Sequence, residues 1–165
     1  GWDGVICLPG THTKWVHVSA GEVVSFQTFM TGEQFGLLSG SSVLRHSVDT
    51  DGWDKSAFDE AINDSLSRPE RLSANLFNLR ARDLLTAQPK EVARARLSGL
   101  LIGAELAAAR PFWLGQQVAV VGATALSQIY ADALASQGVP ATVADGARMT
   151  MAGLQAAYRQ VKEPA

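Results

Sequence analysis

The chain has 165 residues, 47% hydrophobic and 18% charged, which is enough apolar material for one folded domain and excludes intrinsic disorder. The chain has 14 basic and 16 acidic residues and a net charge of −2. Because it is not basic, we expect no nucleic-acid partner. The one cysteine, Cys7, excludes a disulfide framework within the chain, and no apolar run is long enough to cross a bilayer. We therefore predict a cytoplasmic protein with a single domain, residues 1–165, and no membrane partner.

The beginning of the chain has the pattern of three short strands. Residues 5–8 form a β-branched run that ends at the turn-forming pair Pro9 and Gly10. Residues 14–19 alternate between two faces, and after a two-residue turn the segment 22–30 returns, rich in Val and Phe. Short strands joined by tight links predict an antiparallel meander.

The middle of the chain has helical periodicity that prolines interrupt. Thr31 is placed to cap a first short helix, and a loop rich in Ser, Asp and Gly is predicted for residues 40–54. Longer helices are predicted where apolar residues recur at helical spacing, over residues 55–67, 72–85 and 89–111.

The last third of the chain alternates strands and helices. Strands are predicted at 117–121 and 139–144, each followed by a helix, at 126–137 and 148–161. Short links between alternating elements predict parallel strands. A meander continued by two parallel strands is the arrangement of the ribonuclease-H-like α/β fold, which we favour over a generic α+β sandwich. In that fold, residues 31–112 are a helical insertion after the third strand.

A loop with several hydrogen-bond donors links the first two strands. Its sequence, LPGTHTKW over residues 8–15, brings together Gly10, Thr11, Thr13 and Lys14. Backbone N–H groups, hydroxyls and an ammonium group that converge on one point suit the oxygens of a phosphate. The loop lacks the spacing of a Walker A motif. The alternative, which the spacing leaves open, is a hairpin turn with a solvated lysine.

A second candidate loop follows the strand 117–121, where Gly122, Ala123 and Thr124 precede a helix. Small residues at the carboxyl end of a strand let a ligand approach the backbone, and open α/β sheets bind their ligands at that edge. The alternative is structural, with Gly122 in a tight turn and Thr124 capping the helix.

Residues 97–105 predict a helix with one flat face. Gly99 and Gly103 are four residues apart, so the face that they share can approach another backbone closely. Glu105 lies beside the apolar stripe of this helix. We predict an arginine partner for it, Arg80 or Arg82, in preference to a catalytic role.

The sequence has no pattern typical of a metal centre or of a nucleophilic enzyme. His12, His17 and His46 have neither histidine nor cysteine partners at metal-ligand spacing. Cys7 lies in a predicted strand and is expected to be buried. We therefore assign no metal ligand and no catalytic residue. Asp49, Asp51 and Asp54 form an acidic loop. Most such clusters are solvated, and the alternative is a loop near a sugar site that helps to order magnesium.

Four segments taken together resemble one protein family. In chain order they are LPGTHTKW (8–15), TFMTGE (28–33), LSGLLIGAE (97–105) and GATALS (122–127). They look like the C-terminal lobe of the 2-dehydro-3-deoxygalactonokinase family, in the superfamily of sugar kinases, actin and chaperone ATPases. The resemblance implies two ribonuclease-H-like lobes that close over ATP and a sugar acid, 2-dehydro-3-deoxy-D-galactonate, with Mg²⁺ as a further cofactor.

The resemblance also implies which residues bind the nucleotide and which functions are elsewhere. The implied contacts are Gly10, Thr11, His12, Thr13 and Lys14 in a phosphate loop, and Gly122, Ala123 and Thr124 in an adenosine loop. The first phosphate loop and the catalytic base would belong to the absent N-terminal lobe, so the isolated chain is expected to be inactive. Residues 31–33 match the family without an assigned role, and a place in the active cleft and a helix cap are both left open. The alternatives are a noncatalytic nucleotide- or sugar-binding module, and a homodimer formed through the helical insertion.

Overall fold

A five-stranded mixed sheet organises the computed structural model, which describes residues 2–162. The strands stand in the order β3-β2-β1-β4-β5, with the bounds β1 Gly4–Leu8, β2 Thr13–Ser19, β3 Glu22–Phe29, β4 Val118–Gly122 and β5 Ala141–Asp145. The pairs β1–β2 and β2–β3 are antiparallel, whereas β4 runs parallel to β1, and β5 runs parallel to β4. The predicted meander and the two parallel strands are therefore both present.

The link between β2 and β3 is a two-residue turn. Ala20 and Gly21 have φ angles of 53° and 80°. Two consecutive positive φ angles are typical of tight hairpin turns whose twist matches that of the strands. The Asp3 carboxylate accepts a hydrogen bond from the Ala20 N–H at 2.7 Å. This bond ties the turn to the residues that precede β1.

Helices occupy the long segment between β3 and β4 and follow both parallel strands. Between β3 and β4 they are α1 Thr31–Gly40, α2 Arg45–Val48, α3 Lys55–Ser67, α4 Leu72–Thr86, α5 Lys90–Ala108 and α6 Arg110–Trp113. After β4 and β5 come α7 Thr124–Ser136 and α8 Gly146–Lys162. The three long helices predicted before β4 are confirmed. The predicted loop 40–54 is corrected, because the short helix α2 interrupts it.

The starts of α1 and α3 differ in how they are capped. Asp54 precedes α3, and its carboxylate accepts a hydrogen bond from the Ala57 N–H at 2.8 Å. Thr31, predicted to cap α1, is instead the first residue of that helix, and Met30 holds the cap position without a side-chain bond. The prediction is wrong because Thr31 is buried, with its side chain inside the fold.

The main core lies between one face of the sheet and the helices α3, α5 and α7. Val5 and Cys7 on β1 and Val120 on β4 are completely buried there. A second apolar cluster joins α5 to α2, α3 and α4, with Leu79 and Leu97 among its members. Helix α5 therefore packs on the sheet side of the molecule and against the outer helices at the same time.

The other face of the sheet is only partly covered. Ile6 and Val16 point to this side and line an open cavity of about 720 Å³ that reaches the first turn of α8. No residue of α8 is buried, and its apolar side chains Leu154 and Tyr158 are about 60% exposed, at 61% and 59%. Neither α8 nor any other described helix has the length and apolar character needed to cross a bilayer.

Close packing of α5 on α3 confirms the prediction made from the two glycines. A Cβ at Gly99 would lie 2.6 Å from the carbonyl oxygen of Phe58. A Cβ at Gly103 would lie 2.7 Å from the carbonyl oxygen of Ile62. Real Cβ atoms do not approach a backbone oxygen this closely, so both positions require glycine for the observed helix contact.

Candidate functional site

The two loops singled out in the sequence meet at one edge of the sheet. Since β1 and β4 are adjacent and parallel, their carboxyl ends lie side by side. The first loop follows β1 at Pro9, and the second begins at Gly122, the last residue of β4. A Cβ at Gly122 would lie 3.3 Å from the Pro9 carbonyl oxygen, so the two loops are in contact. This is the edge at which open α/β sheets bind ligands.

The loop after β1 is held against the start of α1. The N–H of Glu33 donates to the carbonyl oxygen of Thr11 at 2.9 Å. The side chains of His12 and Glu33 pair at 2.6 Å between Nε2 and Oε2. At Gly32 any side chain would collide with the carbonyl group of Gly10. Residues 31–33, which the sequence left without a role, therefore form the support of this loop.

The end of the loop directs its side chains to opposite sides. Thr13 is completely buried, and its hydroxyl lies 3.0 Å from the hydroxyl of Tyr130. Lys14 points to the other face of β2, because successive side chains in a strand alternate. Its Nζ lies 3.4 Å from the carbonyl oxygen of His12. Lys14 is half-buried and near solvent, whereas the Thr13 side chain faces the core.

The turn after β4 begins a helix with a small residue at its cap. Ala123 holds the cap position of α7 without a side-chain bond, and Thr124 is the first residue of the helix. The alternative that made Thr124 the cap is therefore wrong. Both Ala123 and Thr124 are exposed. Ser127, in the first full turn, is completely buried, and its hydroxyl has no hydrogen-bond partner among residues 2–162.

A pocket of about 580 Å³ opens beside this edge, on the helix side of the sheet. Its walls come from the β1 loop, α1, the loop before α3, α5 and α7. The lining residues are Gly10, Thr11, Thr31, Gly32, Phe35, Asp51, Trp53, Arg94, Ser98, Leu101, Ile102, Ala125, Leu126, Ile129 and Tyr130. Aromatic and aliphatic walls with a few polar groups are typical of a site for a small organic ligand.

Three side chains of this pocket were not predicted from the sequence. Arg94 lies over the Phe35 ring, with its guanidinium carbon 5.2 Å from the ring centroid. The Trp53 ring stands 5.0 Å from the ring of Phe58, between centroids. No local sequence pattern distinguishes Phe35, Trp53 and Arg94 from other helix and loop residues. Only the packing of α1 and α3 around α5 brings them to one cavity.

A buried carboxyl group lies beneath the site. Glu105 accepts hydrogen bonds from the Trp15 indole N–H at 2.8 Å and from the Tyr130 hydroxyl at 2.9 Å. Burial raises the pKa of Glu105 above that of an ordinary glutamate, and the hydrogen bonds from Trp15 and Tyr130 oppose the rise. Its bonding partners are therefore neutral donors.

The predicted arginine partner of Glu105 is wrong. Arg80 pairs with Asp83 at 2.7 Å, on α4. Helix α4 packs on α5 through the outer cluster that contains Leu79, whereas Glu105 faces Trp15 on the sheet side. The two sides of α5 separate the arginines from the carboxyl group.

The cysteine and the potential metal ligands of the chain are placed as follows. Cys7 is completely buried, as predicted, and burial raises the pKa of its thiol well above the ordinary value. Within residues 2–162, no three histidine, cysteine, aspartate or glutamate side chains come together in a way that could hold a metal ion. Asp51 lines the 580 Å³ pocket as a single acidic side chain.

Comparisons with known proteins agree on one family. A family model described as 2-keto-3-deoxy-galactonokinase matches residues 1–157. A probable 2-dehydro-3-deoxygalactonokinase of Rhizobium meliloti (strain 1021) is 38% identical over 161 residues, which cover 95% of this chain and 53% of that protein. A 2-dehydro-3-deoxygalactonokinase of Escherichia coli (strain K12) is 34% identical over 149 residues, covering 90% of this chain and 51% of that protein.

A solved structure also matches. A crystal structure described as that of a putative 2-dehydro-3-deoxygalactonokinase protein from Sinorhizobium meliloti superposes with a TM-score of 0.91 at 36% identity. The match covers 99% of this chain and 55% of that one. The chain thus spans about half the length of the curated relatives that it matches.

Proposed function

The chain belongs to the 2-keto-3-deoxy-galactonokinase family, and on that premise we propose that it is the nucleotide-binding half of an ATP-dependent kinase. The proposed reaction transfers the γ-phosphoryl group of ATP to a hydroxyl group of 2-dehydro-3-deoxy-D-galactonate. The relatives are about twice as long as this chain, which supports a second half that completes the enzyme. The strand order β3-β2-β1-β4-β5 supports a ribonuclease-H-like lobe of the actin-like type.

The observation that carries the proposal is the meeting of the two loops at the carboxyl edge of β1 and β4. We place the phosphates there, against Gly10, Thr11, His12 and Lys14. The first turn of α7 begins at the same edge, and a helix start offers unpaired N–H groups and a partial positive charge to an anion. Thr13 acts from inside, through its contact with Tyr130, because its side chain is buried.

The 580 Å³ pocket suits the adenosine part of the nucleotide. The Phe35 and Trp53 rings and the aliphatic side chains of α5 and α7 offer flat apolar walls. The pocket is continuous with the loop residues Gly10 and Thr11, so a ligand in it extends directly to the phosphate edge. Gly122, Ala123 and Thr124 would lie along the nucleotide at the junction of the two regions.

The residues described for this chain fit the nucleotide better than they fit the metal. No group of metal-ligating side chains is formed within residues 2–162. Asp51 is the acidic side chain among the residues that line the pocket. Mg²⁺, when bound with ATP, offsets charge on the phosphates. The catalytic base and most of the sugar-acid site are proposed to lie in the other half of the enzyme, since the relatives are about twice as long as this chain.

The test compares this chain with the longer protein proposed to contain it. ADP production is measured with Mg-ATP and 2-dehydro-3-deoxygalactonate, and nucleotide binding is measured by calorimetry. We expect both proteins to bind ATP and only the longer one to release ADP in a sugar-dependent way. Phosphorylation of the sugar acid by this chain alone would contradict the proposal that the catalytic base lies in the other half of the enzyme. Binding without transfer in both would favour a noncatalytic binding module.

A lysine variant tests the phosphate loop itself. Lys14→Gln is expected to weaken ATP binding about tenfold to a hundredfold, because a hydrogen bond to a charged group contributes roughly 1.5–3 kcal/mol. The matched control is Lys55→Gln, whose ammonium group pairs with Asp59 on the outer surface of α3. Equal affinities in the two variants would remove Lys14 from the phosphate site.

A further inference from the structure

We propose that Glu105 is a positioning residue for nucleotide binding, whose buried carboxyl group holds the β1–β2 loop, α1 and α7 in their relative places around the pocket. The identity of the ligand rests on the proposed function. The positioning itself rests on contacts within this chain. Glu105 does not line the pocket and acts through its neighbours.

The contacts of Glu105 reach several walls of the site. Its Oε2 accepts from Tyr130, which lines the pocket on α7, and the Tyr130 hydroxyl is 3.0 Å from that of Thr13 at the end of the loop. Its Oε1 accepts from Trp15, two residues further along β2. Thr31, which lines the pocket at the start of α1, is buried beside the same carboxyl group. One side chain of α5 thus bonds to β2 and to α7 and lies beside the start of α1.

The burial of the Glu105 carboxyl group indicates that its role is to fix the positions of its hydrogen-bond donors. A carboxyl group that is 3% exposed is costly to desolvate, and a well-packed apolar residue would fill such a place at lower cost. Its described hydrogen-bond donors are the neutral groups of Trp15 and Tyr130, so no buried cation repays the desolvation. What the carboxyl group adds over an apolar side chain is direction, because each oxygen fixes the donor that points at it.

The test uses Glu105→Gln in the 165-residue chain. The amide keeps one acceptor oxygen and replaces the other with an N–H donor, so Trp15 and Tyr130 can no longer each donate to an oxygen of its own. We expect the backbone amide signals of Gly10, Thr11, Thr31 and Gly32 to shift in ¹H–¹⁵N spectra, and the dissociation constant of ATP to rise about tenfold. The indole signal of Trp15 should move as well.

Two controls separate positioning from a general loss of stability. Asp83→Asn removes a carboxylate that accepts from Ser47 and Arg80 in the outer cluster, and it should leave the loop signals and the ATP affinity unchanged. Within the same spectra, the Trp113 indole donates to the Leu106 carbonyl at 2.8 Å and should not respond.

A second variant keeps the proposal testable if Glu105→Gln does not fold. Tyr130→Phe retains the ring and removes only the hydroxyl between Glu105 and Thr13, and it should produce the same loop shifts. Unchanged loop signals and an affinity within twofold of wild type in the folded variants would overturn the proposal. If the wild-type chain binds no ATP, the proposed ligand fails, and the loop shifts alone decide whether Glu105 positions the loop.

Discussion

At the scale of single residues, the fold shifts the pKa values of two carboxyl groups in opposite directions. Burial raises the pKa of Glu105. A hydrogen bond from the Ser47 hydroxyl at 2.7 Å, helped by Arg80, lowers the pKa of Asp83. The folded state therefore holds the proton of Glu105 more tightly than the unfolded chain does, and that of Asp83 less tightly. By linkage, the two groups make stability depend on pH with opposite signs.

We predict that the Glu105 contribution to stability is present in acid. It is lost as the pH rises from the ordinary glutamate pKa through the raised pKa of the folded state. The free energy of unfolding is measured by urea titration at a series of pH values for wild type and Glu105→Gln. The difference, wild type minus variant, should fall as the pH rises through that range.

Asp83→Asn is the control of opposite sign. The Asp83 contribution is present above the ordinary aspartate pKa and is lost as the pH falls through the lowered pKa of the folded state. The wild-type-minus-variant difference should therefore rise with pH. Parallel curves for the two variants would show that the environment of Glu105 is not the one described.

Residue-scale detail was the part of the site least accessible from the sequence. Thr31 has the chemistry of an N-cap and stands directly before a helical segment, yet its side chain is buried near Glu105. Thr13 has the chemistry of a phosphate ligand, yet it bonds Tyr130. In both cases the residue type was informative and the side-chain direction was not, because direction depends on how distant elements pack.

Helix–helix contact is the determining interaction at the scale of elements. Gly103 on α5 faces the backbone of α3, and a Cβ there would also lie 3.0 Å from the Ser65 Cβ. Gly103→Ala is expected to destabilise the chain by about 1–3 kcal/mol, because neither backbone can move without disturbing the core. Urea unfolding measures the change.

A glycine in a helix with free space around it provides the matched control. Gly36 lies within α1, and a Cβ there would meet nothing within 4 Å. Gly36→Ala should be neutral or stabilising by about 0.5–1 kcal/mol, since alanine favours the helix. A loss at Gly36 as large as that at Gly103 would mean that packing against α3 is not the cause.

Elements were predicted well from the sequence because their signals are local. Alternation marked the strands, and prolines and apolar spacing marked α3, α4 and α5. The spacing of Gly99 and Gly103 predicted a close helix contact but not its partner, α3, which lies some forty positions earlier in the chain. Partner choice is a property of the assembled fold.

At the scale of the whole molecule, the sheet topology and the meeting of the two loops could be predicted from the sequence, but the pocket could not. Parallel neighbours bring their carboxyl ends together, so Pro9 and Gly122 had to share an edge once β1 and β4 were paired. The walls of the pocket depend on how α1 and the loop before α3 fold over α5. No local pattern in the sequence contains that information.

An uncovered apolar face has the largest consequence for behaviour in solution. Helix α8 carries Met151, Leu154, Tyr158 and Val161 at helical spacing, all of them exposed, and the nearby Val23 on β3 is 63% exposed. Such faces are typical of interaction sites. We therefore expect the 165-residue chain to associate with itself as its concentration rises, and sedimentation velocity would measure this.

Matched leucine substitutions locate the association. Leu154→Gln should shift the chain towards the monomer with little change in stability, because Leu154 is 61% exposed. Leu85→Gln, at an 83% exposed leucine on α4, should leave association unchanged because that residue lies outside the face. A longer protein whose other half covers α8 would be monomeric at the same concentrations. A chain that stays monomeric throughout would contradict the prediction, because the apolar face would then be stable in water without a partner.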